Sequence, residues 1–362
     1  VTAVTDGTSV TIDNLHPTLS TVSIATNGDG ASNNGDDIAL SFTASETVQN
    51  NPTCTFTSGG DAMADSSITV SNTGGNAWTC VLDTADADSD GAVAFSIAFT
   101  DSAGNAGTAV TATTDSSSVT VDNTHPTLSN IAMTTSNSNS GYAKSGDTIT
   151  LTITVSESVT SLACTIDGEN ANMGGSGTSW TAALTLSGDE TEQNTVFSCG
   201  SHTDAAGNVG TADTSADSGA VTVDLTAPTL SNIAEATTGS GDANNGDTVS
   251  LTITSSEAIQ QPTCTFSSGG AAMASTPSYS GSGTSWTSSI AVADGDTNGA
   301  VTFSCTYSDL AGNAGNADTS ADSGDVSVDN THPTLSAAVL AVGGSGNGNN
   351  GDSMTLTITP SE

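Results

Sequence analysis

The stretch SVTVDNTHPTLS at residues 118–129 is one of four closely similar copies along the chain. The other copies are SVTIDNLHPTLS at 9–20, AVTVDLTAPTLS at 220–231 and DVSVDNTHPTLS at 325–336. The aspartates near the middle of successive copies are 109, 102 and 105 residues apart. A period of about 100 residues is the size of one small β-domain, so the sequence predicts a tandem array of such domains.

Three other sequence features keep the same period. A Gly-Asp turn opens an alternating run, such as TITLTITVSE at 148–157, and each run ends on a glutamate. One tryptophan and then a D-x-A-G-N motif follow in every complete repeat. The glutamates are Glu46, Glu157, Glu257 and Glu362, the tryptophans are Trp78, Trp180 and Trp286, and the motifs begin at Asp101, Asp204 and Asp309.

These features predict the domain boundaries. Residues 1–14 match the last strand of a preceding repeat, and residues 331–362 match the first strands of a further, incomplete repeat. The complete repeats are repeat 1 (15–123), repeat 2 (124–225) and repeat 3 (226–330). Neither end piece has enough strands to bury a core, so we expect a segment of a longer array.

Period-two alternation of apolar residues predicts the strands of one repeat. In repeat 2 we expect strands A, B, C, E, F and G at 128–133, 148–155, 162–166, 179–186, 196–201 and 220–224, with a short strand D in the Gly-rich stretch between C and E. Seven short strands in about 100 residues, joined by turns rich in Gly, Asn, Asp and Ser, predict an immunoglobulin-like β-sandwich. The fold class is therefore all-β, a tandem array of seven-stranded sandwiches forming an extended rod.

The charge of the chain excludes two classes of partner. Of 362 residues 39 are acidic and one, Lys144, is basic, which gives a net charge of −38. Such a chain has no basic patch for nucleic acid or for an anionic membrane surface. No apolar run of about 18 residues occurs, so this segment is not expected to insert into a membrane.

The motifs together resemble a known family. The order D-x-A-G-N followed by V-T-V-D-x-T-A-P-T, as at 221–229, is similar to the bacterial Ig-like repeats of very long surface adhesins and other secreted prokaryotic proteins. The resemblance covers the three complete repeats and both end pieces. It departs from antibody domains, because the recurring Trp falls on predicted strand E rather than C and the cysteines do not fit a bridge from B to F. The resemblance implies rods that calcium makes rigid.

Each complete repeat contains two cysteines, which predicts one disulfide within each repeat. The pairs are Cys54 with Cys80, Cys164 with Cys199, and Cys264 with Cys305. A zinc site is disfavoured, because no C-x-x-C occurs and two thiolates are too few for a closed zinc site. Disulfides indicate an oxidising compartment, so we expect an extracellular or cell-surface location.

Sandwich topology predicts where the recurring carboxylates meet. The end of strand G in one repeat should lie beside the end of strand B and the F–G loop of the next. These groups are hard oxygen ligands of the kind that Ca²⁺ prefers, although turn geometry alone also explains Asp and Asn in loops. The predicted calcium ligands are Asp13, Asn14, Glu46, Asp101 and Asn105; Asp122, Asn123, Glu157, Asp204 and Asn208; Asp224, Glu257, Asp309 and Asn313; and Asp329 with Asn330.

A second candidate for calcium lies in the E–F loops. Asp86, Asp88 and Asp90 form D-x-D-x-D-G, and Asp294, Asp296 and Asn298 form D-x-D-x-N-G. Both match the opening of an EF-hand loop but lack its final Glu, since Ile97 and Cys305 stand at that position. These loops are partial sites at best, and turn chemistry is an equal alternative.

The function that these features favour is structural. We expect a non-catalytic repeat region of a secreted or cell-surface protein, an adhesin stalk or filament shaft, with calcium between domains and disulfides within them. One alternative is a self-assembling subunit of a fibre, sheath or surface layer, whose partners are identical chains; another is an accessory module of a secreted hydrolase. No G-x-S-x-G, H-E-x-x-H or P-loop motif occurs, so we expect no enzyme activity.

Overall fold

The structure is a computed structural model that describes residues 11–28, 30–343 and 347–361. Its regular elements in these ranges are all β-strands. The contacts between Cα atoms divide the chain into two compact units, Val1–Thr222 and Val223–Glu362. Most of the strand predicted at 1–14 lies outside the described residues, and residues 11–14 form no regular structure. The described part of the chain contains no helix of the length and apolarity that a membrane crossing requires.

Repeat 1 forms two four-stranded antiparallel sheets. One sheet has the order β1-β2-β6-β5 and the other β4-β3-β7-β8. In immunoglobulin lettering these are A-B-E-D and C′-C-F-G, the two sheets of an Ig-like sandwich. The strands are β1 (Leu19–Thr26), β2 (Asp37–Ala44), β3 (Thr53–Ser58), β4 (Asp61–Ala62), β5 (Thr69–Gly74), β6 (Ala77–Asp83), β7 (Gly91–Ala98) and β8 (Thr120–Val121).

Repeat 2 keeps this plan with three local changes. Strand G (Thr222–Val223) pairs with the short strand Tyr142–Ala143 in a separate two-stranded sheet and not with strand F. Strand B is lengthened, and Val159 near its end pairs with Gly177, so the ladder continues through the Gly-rich stretch and no separate strand D forms. Strand F is split into β15, which pairs with strand C, and β16, which pairs with strand B. The strands are β9 (Leu128–Thr135), β10 (Tyr142–Ala143), β11 (Thr148–Ser161), β12 (Cys164–Ile166), β13 (Glu169–Asn170), β14 (Asn172–Thr185), β15 (Phe197–Cys199), β16 (His202–Asp204), β17 (Val209–Gly210) and β18 (Thr222–Val223).

Repeat 3 has the same two sheets as repeat 1, in the orders β19-β20-β24-β23 and β22-β21-β25-β26. The incomplete repeat contributes an antiparallel pair of strands, β27 and β28. The strands are β19 (Leu230–Thr237), β20 (Thr248–Ser255), β21 (Thr263–Ser268), β22 (Ala271–Ala272), β23 (Ser278–Ser282), β24 (Ser285–Ala291), β25 (Gly299–Thr306), β26 (Ser327–Val328), β27 (Leu335–Val342) and β28 (Met354–Pro360).

Strand B shows how alternation builds each core. Every second residue points between the sheets, and Ile38, Leu40 and Phe42 of β2 are at most 2% exposed. In β28 the apolar residues at the same places are exposed, because the described residues after 330 form no second sheet that could cover them. Trp78 and Trp286 are partly buried and pack against the hydrophobic cores of their repeats.

All six cysteines form the expected disulfides within their repeats. Cys54–Cys80 joins strand C of one sheet to strand E of the other. Cys164–Cys199 and Cys264–Cys305 each join directly paired residues of strands C and F within a single sheet. The half-cystine of repeat 1 has therefore moved from F, where Ile97 now pairs with Cys54, to E.

Candidate metal centres

Three clusters of carboxylates lie where the sequence placed the calcium sites. In each cluster, one ligand atom from each of three acidic residues lies within 4.8 Å of the others. They are the only groups of three or more His, Cys, Asp or Glu side chains of this kind in the described ranges. Cluster 1 is Asp13, Glu46 and Asp101, cluster 2 is Asp122, Glu157 and Asp204, and cluster 3 is Asp224, Glu257 and Asp309.

Each cluster draws on two consecutive repeats of the sequence. In cluster 2, Asp122 directly follows strand β8 at the end of repeat 1. Glu157 lies in strand β11, and Asp204 ends strand β16, both in repeat 2. The junction between repeats 1 and 2 is therefore the point where the three carboxylates meet.

The aspartate of D-x-A-G-N is buried and held by its own loop. Asp204 is 5% exposed, and its Oδ1 accepts hydrogen bonds from the backbone N–H groups of Ala206 (2.8 Å) and Asn208 (2.9 Å). Asp101 and Asp309 accept the corresponding bond from the N–H of Asn105 and Asn313, both at 2.8 Å. The loop thus fixes this carboxylate in place before any ligand arrives.

The asparagine of the same motif connects the loop to the preceding repeat. The Nδ2 amide of Asn208 donates to Oδ2 of Asp204 (2.9 Å) and to the backbone carbonyl of Asp122 (2.8 Å). Asn105 makes the same pair of bonds to Asp101 (2.8 Å) and the carbonyl of Asp13 (3.2 Å). Asn313 makes them to Asp309 and the carbonyl of Asp224, both at 2.8 Å. The structure therefore gives these asparagines a cross-linking role that the sequence did not reveal.

In clusters 1 and 2, burial and then repulsion between carboxylates disfavour the ionised form of three side chains. Burial raises the pKa of Glu157, and Asp122 and Asp204 raise it further. Burial, followed by Asp13 and Asp101, also raises the pKa of Glu46. In cluster 2 burial and the nearby Asp204 raise the pKa of Asp122 as well. These shifts mean that crowding disfavours the ionised carboxylates.

The pKa of Asp101 shifts in the opposite direction to that of Glu46 in the same cluster. Burial disfavours its charged form, but hydrogen bonds from the side chain and backbone of Asn105 outweigh burial and lower its pKa. In cluster 1 the loop therefore supplies a carboxylate whose ionised form is favoured, beside Glu46, whose ionised form is disfavoured.

The donor set fits a hard divalent cation. Glu157 Oε1 is buried and has no hydrogen-bond partner among the described residues, so an acceptor in cluster 2 lacks a donor. Three carboxylates supply part of the about six to eight oxygen ligands that Ca²⁺ takes. A divalent cation at this position would satisfy the unpartnered oxygen and offset the repulsion at once.

The asparagines after strand G donate hydrogen bonds to the E–F loop of their own repeat. The Nδ2 of Asn123 donates to the carbonyls of Ala85 (3.0 Å) and Asp88 (3.1 Å) in the E–F loop of its own repeat. Asn330 makes the corresponding bonds to Ala293 (3.0 Å) and Asp296 (3.1 Å). These contacts occupy the amide N–H groups, Asn123 Oδ1 is buried without a hydrogen-bond partner among the described residues, and Asn14 is exposed, so the place of the three asparagines among the metal ligands remains a prediction.

The E–F loops form hydrogen-bonded turns. Asp88 and Asp296 are 4% and 6% exposed, and each accepts one backbone N–H bond from its own loop and one from the segment between strands C′ and D. Asp90 accepts bonds from the N–H of Asn123 and the hydroxyl of Thr124. Asn298 bonds to Asp329, Thr331 and the N–H of Asn330 instead. Asp86 and Asp294 are exposed, so these contacts favour the turn alternative, and calcium in the E–F loops stays a prediction.

The fourth copy of the cluster is incomplete in the described residues. Asp329 accepts hydrogen bonds from Asn298 Nδ2 (3.0 Å) and the N–H of Thr331 (2.9 Å). Glu362, which occupies the glutamate position of this copy, lies outside the described residues. The predicted ligands Asp329 and Asn330 therefore remain a prediction.

The linker histidines provide a contact that the sequence did not indicate. His16 Nδ1 lies 2.8 Å from the carbonyl oxygen of Ala106, and His125 Nδ1 lies 3.0 Å from that of Val209. Since a carbonyl only accepts, the ring nitrogen donates, and the linker is fixed to the F–G loop. The recurrence of D-N-x-H-P-T was the available signal.

The comparisons with known proteins give only distant similarities. The chain matches no protein-family model and no curated protein sequence. Among solved structures it is similar to the I67–I69 fragment of the titin I-band, at 11% identity, covering 84% of this chain and 96% of that one with a TM-score of 0.35. The mouse nectin-like molecule 4 ectodomain (11% identity, 83% and 94% covered, TM-score 0.26) and a marsupial T cell receptor (12%, 84% and 100%, 0.30) are further examples. The fold assignment rests on the strand order of the chain itself.

Proposed function

We propose that the chain is a non-catalytic structural repeat region of a secreted or cell-surface protein, in which calcium bound at the junctions fixes consecutive Ig-like domains. The resemblance to bacterial Ig-like repeats supports an adhesin stalk or filament shaft. The observation that carries the proposal is the recurrence of one carboxylate cluster at three successive positions, each built from the end of one repeat and two segments of the next.

The chemistry of the clusters explains what calcium would do. Without a cation, three adjacent carboxylates repel one another and weaken the contact between repeats. A bound Ca²⁺ would be attracted to all three, so the junction would bend less and resist separation. The Asn208 bridge would maintain the register of the linker whether or not the ion is present.

The disulfides support the proposed location. All six cysteines are paired within their repeats, and such bridges persist in oxidising compartments. With a net charge of −38, the chain would also remain soluble and repel anionic surfaces. A passive, extended spacer outside the cell accounts for both properties.

Calcium titration of the full chain tests the proposal. We expect calorimetry to detect one site per carboxylate cluster and EDTA to lower the thermal unfolding temperature. Glu157→Gln should remove one site and part of the stabilisation, because it takes a carboxylate from cluster 2. Asp86→Asn removes the same charge from an exposed position outside the clusters and should change neither result.

Two outcomes would contradict the proposal. One is an unfolding curve that is identical in calcium and in EDTA. The other is an equal loss of binding in Glu157→Gln and Asp86→Asn, which would show that calcium responds to overall charge rather than to the clusters.

A further inference from the structure

Glu235 is a carboxyl group at a core position of strand A. It is the sixth residue of β19, and the sixth residues of β1 and β9 are Ile24 and Met133, both buried. The three strands share one burial pattern, and Glu235 is itself 8% exposed. Repeat 3 therefore has an acidic side chain where repeats 1 and 2 have apolar side chains.

The contacts of this carboxyl group are incomplete. Oε2 accepts a hydrogen bond from the backbone N–H of Val326 at 3.3 Å. Oε1 is buried and has no hydrogen-bond partner among the described residues. A buried carboxylate with one long hydrogen bond lacks the donors that normally compensate for its removal from water.

No cation is available to pair with Glu235. Repeat 3 contains neither Lys nor Arg, and Glu235 belongs to none of the carboxylate clusters. Strands β20 and β26, which pack beside it, carry no charged residue. The segment before β26 contributes Asp322, whose Oδ2 accepts the N–H of Ile233 at 2.7 Å, and Asp325. Both groups are acidic, so they cannot neutralise the glutamate.

We propose that Glu235 makes repeat 3 a pH-responsive unit of the array, in which the protonated carboxyl group holds strand A against the segment 323–326 and ionisation loosens that contact. Repeat 3 contains no Lys, Arg or His, so among the described residues around Glu235 neutralisation occurs by proton uptake. The hydrogen bonds that ionisation would weaken include the one from the N–H of Glu235 to the carbonyl of Ser323 (2.8 Å).

The direction of the pH effect follows from the environment. Burial, followed by the nearby Asp325, raises the pKa of Glu235 in the folded protein. Below the ordinary glutamate value both states are protonated and folding has no ionisation cost. As the pH rises between the unfolded and folded values, the unfolded state ionises first, so repeat 3 loses stability; above the folded value the loss is constant.

Hydrogen exchange of the full chain tests this inference. After correction for the intrinsic pH dependence of exchange, amides of β19 and of residues 323–328 should open more often at about pH 8 than at about pH 4, by about tenfold for each unit of pKa shift. The corresponding segments of repeats 1 and 2, which contain Ile24 and Met133, should not show this increase. They are internal controls in the same sample.

Two variants separate the carboxyl group from general effects of the site. Glu235→Met introduces the residue of repeat 2 and should abolish the pH dependence while protecting these amides at neutral pH. Glu235→Gln keeps the shape without the charge and should also abolish it. If either folded variant retains the wild-type pH profile, or if wild-type protection is independent of pH, the inference is wrong. Calcium binding is measured by a separate titration. The proposed role of calcium and the proposed role of Glu235 can therefore fail independently.

Discussion

At the scale of single residues, the D-x-A-G-N motif illustrates how one side chain joins two repeats. The Asn amide has two N–H groups, and the structure uses one for the buried aspartate of the loop and the other for a carbonyl at the end of the preceding repeat. A residue with a similar shape but no donors could not serve either acceptor. The motif therefore stabilises the junction independently of any cation.

Replacing Asn208 by Asp tests this role. Asn208→Asp turns two donated hydrogen bonds into contacts between acceptors, beside a carboxylate that is 5% exposed. We expect the free energy of unfolding to fall by about 2 kcal/mol in EDTA, as measured by chemical denaturation. Asn51→Asp makes the same chemical change at an exposed position and should have little effect. Equal losses in both variants would assign the effect to added charge.

At the scale of elements, the disulfides connect strand C to two different strands. The strand C cysteine bonds to strand E in repeat 1 and to strand F in repeats 2 and 3. The unused positions carry other residues: Ile97 on strand F of repeat 1, Ala182 on strand E of repeat 2 and Ser288 on strand E of repeat 3. Ser288 is fully buried and its hydroxyl has no partner among the described residues, so a thiol could replace it without losing a hydrogen bond.

This comparison predicts that the bridge of repeat 3 can be moved. The double variant Ser288→Cys and Cys305→Ile reproduces the arrangement of repeat 1 and should form a Cys264 to residue 288 disulfide. Peptide mapping by mass spectrometry under non-reducing conditions identifies the bridge. The single variant Cys305→Ile is the control and should leave Cys264 as a free thiol. A free Cys264 in the double variant would mean that position 288 on strand E lies too far from Cys264 for a disulfide.

Sequence reasoning succeeded where a pattern repeats and failed where contacts cross between segments. Alternation predicted strands A and B, and the paired positions of cysteines and carboxylates predicted the disulfides and the three clusters. Asn123 donates its amide hydrogen bonds to carbonyl groups of the E–F loop. Which carbonyl groups lie near Asn123 depends on the folded structure, so the linear sequence could not predict these bonds. Glu235 did carry a signal, since it interrupts an apolar position that recurs in strand A.

At the scale of the whole molecule, the charge sets the response to ions. The chain has 39 acidic residues and one basic residue, so nearly every long-range interaction between its charges is repulsive. Repulsion of this kind lowers the stability of a folded chain, and salt reduces it because the Debye length is about 10 Å at 0.1 M. Screening acts on all carboxylates, whereas a bound cation acts only where oxygens converge. Monovalent and divalent salts therefore separate the two effects.

We predict that the midpoint of thermal unfolding rises as NaCl increases from about 0.01 M to about 0.5 M, because screening weakens the repulsion. At matched ionic strength, millimolar CaCl₂ should raise the midpoint further than NaCl does. A variant that carries Glu46→Gln, Glu157→Gln and Glu257→Gln should keep the response to NaCl and lose the extra response to calcium, since the three changes together remove one carboxylate from each cluster. If the triple variant retains the full calcium response, the stabilisation arises from the overall charge and the clusters are not the binding sites.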